Sequence, residues 1–174
     1  MKRQSTPTER IVNTIIRRLG LMAFAAGAGL GGLILLLLGR EFIALHCTLT
    51  IALGVMAGVL VANATIPRDA SSWRKAGTSG GLFAALGFAL PFTLIAIANF
   101  LSLNEASAKQ LLNVMTPDQI AQAKSMLIDP TLNPLEYFRG QFVSYIFGYP
   151  LVGACVGWLA GMIGGALARR RLGN

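Results

Sequence analysis

The sequence predicts an all-α integral membrane protein: a bundle of four transmembrane helices, both termini cytoplasmic, with a short helical loop outside. Three observations predict it. Only 13% of the 174 residues are charged while 54% are hydrophobic, against about a quarter charged in an ordinary soluble domain. The apolar residues gather into long runs, each sufficient to cross a hydrocarbon core of about 30 Å, which takes about 20 helical residues. The basic residues collect on alternate connections between those runs. Only helices or closed barrels satisfy every backbone group in lipid, and the runs lack the alternation of barrel strands.

The chain divides into a basic N-terminal segment (1–18), three spans within 19–101, an outer helical loop (102–139), a fourth span (140–168) and a basic tail (169–174). The spans are centred on Leu19–Leu38, Phe42–Ala64, Gly80–Leu101 and Phe142–Leu167. In the leader, Ile11, Val12, Ile15, Ile16 and Leu19 follow helical spacing, flanked by Arg10, Arg17 and Arg18. Such a segment is either an interfacial amphipathic helix or the first turns of span one. Its apolar stretch exceeds the usual core of a signal peptide and ends in Gly39-Arg40-Glu41, without a small-x-small cleavage site, so it reads as an uncleaved first helix.

Orientation follows from Lys and Arg. Lys2, Arg3, Arg10, Arg17, Arg18, Arg68, Arg74, Lys75, Arg169, Arg170 and Arg171 fall on one side, eleven of the fifteen basic residues. Arg40, Lys109, Lys124 and Arg139 fall on the other, mixed with most of the acids. The positive-inside rule then gives an inner-membrane protein with both termini in the cytoplasm. The net charge of +8 belongs to topology and to anionic lipid headgroups rather than to nucleic acid.

The joints differ. Gly39-Arg40-Glu41 is short enough for a tight hairpin between spans one and two. The inner joint carries Trp73, at home in an interfacial aromatic belt. In the outer loop, Ser102 with Glu105 and Thr116-Pro117-Asp118-Gln119 form two capping-box patterns. They introduce short helices with apolar sides at Ala108, Leu111, Leu112, Met115 and at Ile120, Ala123, Leu127, before Pro130 and Pro134 end the helical region. These helices form a lid over the bundle or, less favoured, a partner surface.

Small residues recur in every span. Gly153, Gly157, Gly161 and Gly165 stand four apart in span four. Ala23, Gly27 and Gly31 mark span one, Gly54, Gly58 and Ala62 span two, and Gly77, Gly81 and Ala85 span three. In lipid no hydrophobic force separates helix from tail, so backbones brought close through small residues are a main means of association. The rows pack the bundle itself or dock it onto another integral membrane subunit.

Chemistry-bearing residues are few. His46 is the single histidine and the one candidate axial ligand for a haem or chlorophyll metal, although a headgroup or packing contact is the favoured role. Phe138, Phe142, Tyr145 and Tyr149 form an aromatic row suited to the outer interface, or to stacking on a chlorin or quinone. Pro91 and Pro150 lie at similar depth, where paired kinks would open an outward cavity. Cys47 and Cys155 read as packing residues. No Asp, Glu, Lys or Arg lies mid-span, which argues against a proton-coupled carrier or ion pump. Neither a phosphate loop, a nucleophile elbow nor a metal motif is present. The sequence therefore predicts no enzyme and no cofactor. It predicts a non-catalytic accessory or scaffolding subunit of a larger bacterial membrane complex, bioenergetic or photosynthetic, with a small homo-oligomeric transporter or channel as the alternative.

Overall fold

Thr6-Pro7-Thr8-Glu9 starts the first helix by a reciprocal cap. The Thr6 amide donates to Glu9 Oε2 at 2.8 Å and the Glu9 amide to Thr6 Oγ1 at 3.2 Å. Pro7 occupies the first helical position, where its missing donor costs nothing. The computed structural model describes residues 6–38, 43–125 and 129–173, with the side chains of 38 and 43–46 outside that description. Within them run α1 (Pro7–Leu38), α2 (Ile43–Thr65), a 3₁₀ turn (Ala70–Ser72), α3 (Trp73–Ser102), α4 (Glu105–Asn113), α5 (Pro117–Ser125) and α6 (Pro134–Leu172). No strand occurs among the described residues. Four of the helices, α1, α2, α3 and α6, are long and apolar enough to cross a membrane.

Three of the helices outrun the apolar spans that mark them, while α2 matches its span. α1 has 32 residues, α3 has 30 and α6 has 39, or about 48, 45 and 58 Å at 1.5 Å per residue. Hydropathy marks the oily stretch, whereas a helix continues until a cap or breaker stops it. The leader is accordingly the start of α1. Val12 and Ile16 are buried in a cluster with Val61, Ala62, Ala76 and Ala168, and Leu19 and Ile66 pack against it. The helix runs unbroken from Pro7 into the apolar stretch, so the leader forms the first turns of α1.

Pro134 begins a helix rather than ending one. Asn133 Oδ1 accepts from the Glu136 amide at 3.3 Å, which places Pro134 at the first position of α6. α6 thus starts well before the expected Phe142. The Ser102–Glu105 cap is also replaced. Ser102 closes α3, its hydroxyl donating to the Asn99 carbonyl at 3.3 Å. Asn104, in an extended conformation, forms the capping box of α4 with Ser107. The Ser107 amide donates to Asn104 Oδ1 at 3.0 Å and the Asn104 amide to Ser107 Oγ at 2.9 Å. The Thr116–Gln119 box forms as the spacing predicts, with the Thr116 amide on Gln119 Oε1 at 2.9 Å and the Gln119 amide on Thr116 Oγ1 at 3.3 Å.

The chain forms two compact units, one of residues 1–92 and 149–174, the other of 93–148. In the first, α1, α2, the first part of α3 and the last part of α6 bury chiefly small side chains: Ala57, Ala62, Ala76, Ala84, Ala85, Ala89, Ala160 and Ala168, with Phe88 and Val61 the largest fully buried apolar ones. The buried Thr65 hydroxyl is satisfied locally, donating to the Val61 or Ala62 carbonyl at 3.2 and 3.1 Å. In the second unit α4 and α5 bury Ala108 and Ala123. Leu127 lies outside the described residues. After α5, Lys124 pairs with Asp129 at 3.2 Å. Asp129 Oδ1 also accepts from the Thr131 amide at 2.9 Å and its hydroxyl at 2.6 Å.

Candidate functional site

The glycines of α6 face the interior of the first unit. A methyl group built on Gly161 would stand 2.8 Å from the Gly81 Cα, and one on Gly157 would stand 2.6 Å from the Gly81 carbonyl oxygen. One on Gly165 would lie 2.6 Å from the Trp73 carbonyl oxygen and 3.2 Å from the Gly77 Cα. From the other side, a methyl on Gly77 would lie 2.8 Å from the Gly165 Cα. The α3 and α6 backbones therefore run in contact along three successive turns. Gly153 is the exception: its added methyl would meet Ala85 O and Ala89 Cβ at 3.4 Å, an ordinary contact.

The other rows close on the same interior. A methyl on Gly58 would stand 2.9 Å from the Gly161 Cα, and one on Gly54 2.7 Å from the Ala160 Cβ. On α1, added methyls at Gly27 and Gly31 would meet Phe88 at its amide nitrogen, 3.0 Å, and its Cα, 3.3 Å. Further glycines take part that no row on the sequence singled out, among them Gly20, which faces Phe83. Gly80 faces Ala57 and Val61, Gly87 faces Phe24, and Gly164 faces Val55 and Val59. For Gly80 and Gly164 the signal is present as the paired glycines Gly80-Gly81 and Gly164-Gly165, where each member serves a different neighbouring helix, whereas Gly87 stands alone.

The opposite side of α1 is open. Methyls added at Gly29 and Gly32 would meet nothing within 4 Å. Ala25 is exposed beside them, as are Leu21, Met22, Leu33, Leu36 and Leu37. Of the candidate spans, the α1 window is 17% buried against 33%, 39% and 39% for the others. α1 is the span least covered by the rest of its chain.

Of the remaining candidates, His46 belongs to α2, but its side chain lies outside the described residues. Cys47 and Cys155 are free thiols, the first half-buried and the second exposed. At the level of Pro91 and Pro150, where sequence suggested a cavity, aromatic rings are in contact. Phe88 and Phe92 lie 5.7 Å apart between centroids, and so do Phe92 and Tyr149. Tyr149 thus packs inward, whereas Tyr145 is exposed. Phe142 is buried, and Phe138 contacts Tyr137 edge-on at 5.0 Å. The aromatic row is split between packing and exposure. Among the described residues no group of three or more His, Cys, Asp or Glu side chains is arranged to hold a metal.

These features define a class: an all-helical chain with four helices of membrane-spanning length and hydropathy, joined through backbone-close glycine contacts. Compared with protein-family models, curated proteins and solved structures, the chain matches none.

Proposed function

We propose that this chain is a non-catalytic accessory or scaffolding subunit of a larger membrane complex, held in a bacterial inner membrane with both termini in the cytoplasm. The observation that carries the reading is the contrast between the two sides of α1. Gly27 and Gly31 are spent on α3, while Gly29 and Gly32 face open space on the least covered span. A small-residue face admits close approach of another backbone, and its occupant here is an apolar helix of a different integral membrane subunit. The glycine row of α6 is not that docking face, because α2 and α3 already fill it.

A homo-oligomeric channel or transporter is the second reading. It needs a polar path, and the spans carry no mid-span charge. Neither reading invokes a cofactor, and His46 is tested by the visible spectrum of the intact assembly, which the proposal expects to be colourless. Extraction in gentle detergent followed by native mass analysis separates the two readings. Co-migration with unrelated subunits supports docking. A closed ring made only of this chain refutes it.

A further inference from the structure

Where α3 begins and α6 finishes, a cleft of about 450 Å³ opens between Trp73, Ala166, Arg169, Arg170 and Gly173. The Arg169 guanidinium carbon stands 5.5 Å from the Trp73 ring centroid, and that of Arg74 stands 5.1 Å from it. Both fall within the distance of about 6 Å over which a cation is drawn to an aromatic face. The glycine seam builds this cleft. Gly165 brings α6 against the Trp73 carbonyl, and Ala168 is fully buried, so the last turns of α6 lie against the first turn of α3. Ala166 is too small to fill the space between them.

Among the described residues no acid is paired with the positive charge of the rim. The Lys124–Asp129 ion pair lies in the other unit, and among the described residues no ion pair engages Arg74, Arg169, Arg170 or Arg171. The carboxylate nearest to Trp73 along the chain, Asp69, is committed to its own turn. Its Oδ1 accepts from the Ser71 amide at 2.9 Å and the Ser71 hydroxyl at 2.7 Å. Guanidinium forks match phosphate oxygens in geometry, and an indole favours the depth of lipid headgroups. On the α6 face leading away from Arg170, Leu167 and Ile163 follow at helical spacing, and both are exposed. A free anion has no use for that apolar track, whereas an acyl chain does.

We propose that the cleft of Trp73, Ala166, Arg169 and Arg170 binds the phosphodiester headgroup of an anionic phospholipid, with an acyl chain laid along Leu167 and Ile163. The assignment rests on the reading of these helices as membrane spans and is independent of what docks on α1. Loss of a partner subunit would leave lipid binding intact, and loss of lipid binding would leave the partner reading intact.

The test uses the full chain in neutral detergent, carrying W158F so that Trp73 is the single indole. Titration with phosphatidylglycerol should shift the Trp73 emission saturably, and phosphatidylcholine should bind at least about tenfold more weakly. R169Q/R170Q should weaken phosphatidylglycerol binding by about tenfold, while R17Q/R18Q, which removes the same charge elsewhere, should change it by less than about twofold. A166L keeps every charge and fills the cleft, so it should weaken binding as R169Q/R170Q does, even where that double variant folds poorly. Equal response to the two lipids, equal loss in the two double variants, or an unaffected A166L would overturn the site. Saturation by inorganic phosphate alone at the same affinity would overturn the lipid assignment in favour of a soluble anion.

Discussion

Gly161 and Gly81 meet backbone to backbone: a methyl built on either would lie 2.8 Å or less from the Cα of the other. The atoms nearest to such a methyl on Gly161 are main-chain atoms of α3, which have no rotamer through which to yield. Gly161→Ala should therefore force α6 away from α3. Overpacking of a tight interior costs about 1–3 kcal/mol, and the rigid backbone here puts the expected loss at the upper part of that range. Denaturant titration in detergent, followed by circular dichroism, measures it. An unchanged midpoint would mean that the seam does not hold the fold.

Gly153 makes the opposite prediction within the same row. Its added methyl would meet ordinary contacts at 3.4 Å, and alanine is a better helix former than glycine by up to about 1 kcal/mol. Gly153→Ala should leave stability unchanged or slightly raised in the same titration. A loss comparable to that of Gly161→Ala would show that α6 packs evenly along its length.

The turn after α5 should respond to acid. Hydrogen bonds from the Thr131 hydroxyl and amide, with a smaller contribution from Lys124, hold the Asp129 carboxyl below the usual aspartate value of 3.8. A lowered folded value means that the ionised group stabilises the fold above 3.8 and that this contribution disappears as pH falls through the lowered value. The Thr131 amide resonance should keep its bonded position from neutral pH to below about 3.8 and then move. Asp129→Asn should abolish that titration. A midpoint above 3.8 would contradict the assigned bonds.

Removing the cap of α5 should loosen that helix alone. Thr116→Ala deletes the acceptor of the Gln119 amide, a loss of about 0.5–2 kcal/mol in cap substitutions. Hydrogen exchange should speed up within Pro117–Ser125 and stay constant in the glycine seam. Equal acceleration in both would contradict a local effect.

Much of this fold is legible in the sequence because two of its determinants are local. Apolar length marks the four long helices, and Thr116 with Gln119 marks the start of α5. The same pattern, Thr6 with Glu9 around Pro7, signals the start of a helix in the basic leader, and the unbroken run to Leu38 makes it α1. The misplaced boundaries come from competition between neighbouring signals. Ser102 and Asn104 both suit a cap, and the extended backbone at Asn104 decides between them. Pro134 suits a helix end or a first turn, and the Asn133 side chain decides for the latter. The use of each glycine face is not legible locally. Gly27 and Gly29 are both small residues of one helix, and only the position of α3 makes the first buried and the second open. The Trp73 cleft escapes for the same reason, since it joins residues almost a hundred positions apart.

Native mass analysis of gently extracted Gly29→Leu/Gly32→Leu, set beside the unmodified chain, tests the central claim most directly. The added side chains enter open space, so the unfolding midpoint should hold while the co-migrating subunit is lost. Retention of every partner by the variant, or an unmodified chain that migrates only as copies of itself, would contradict the assignment of the open face of α1 to docking.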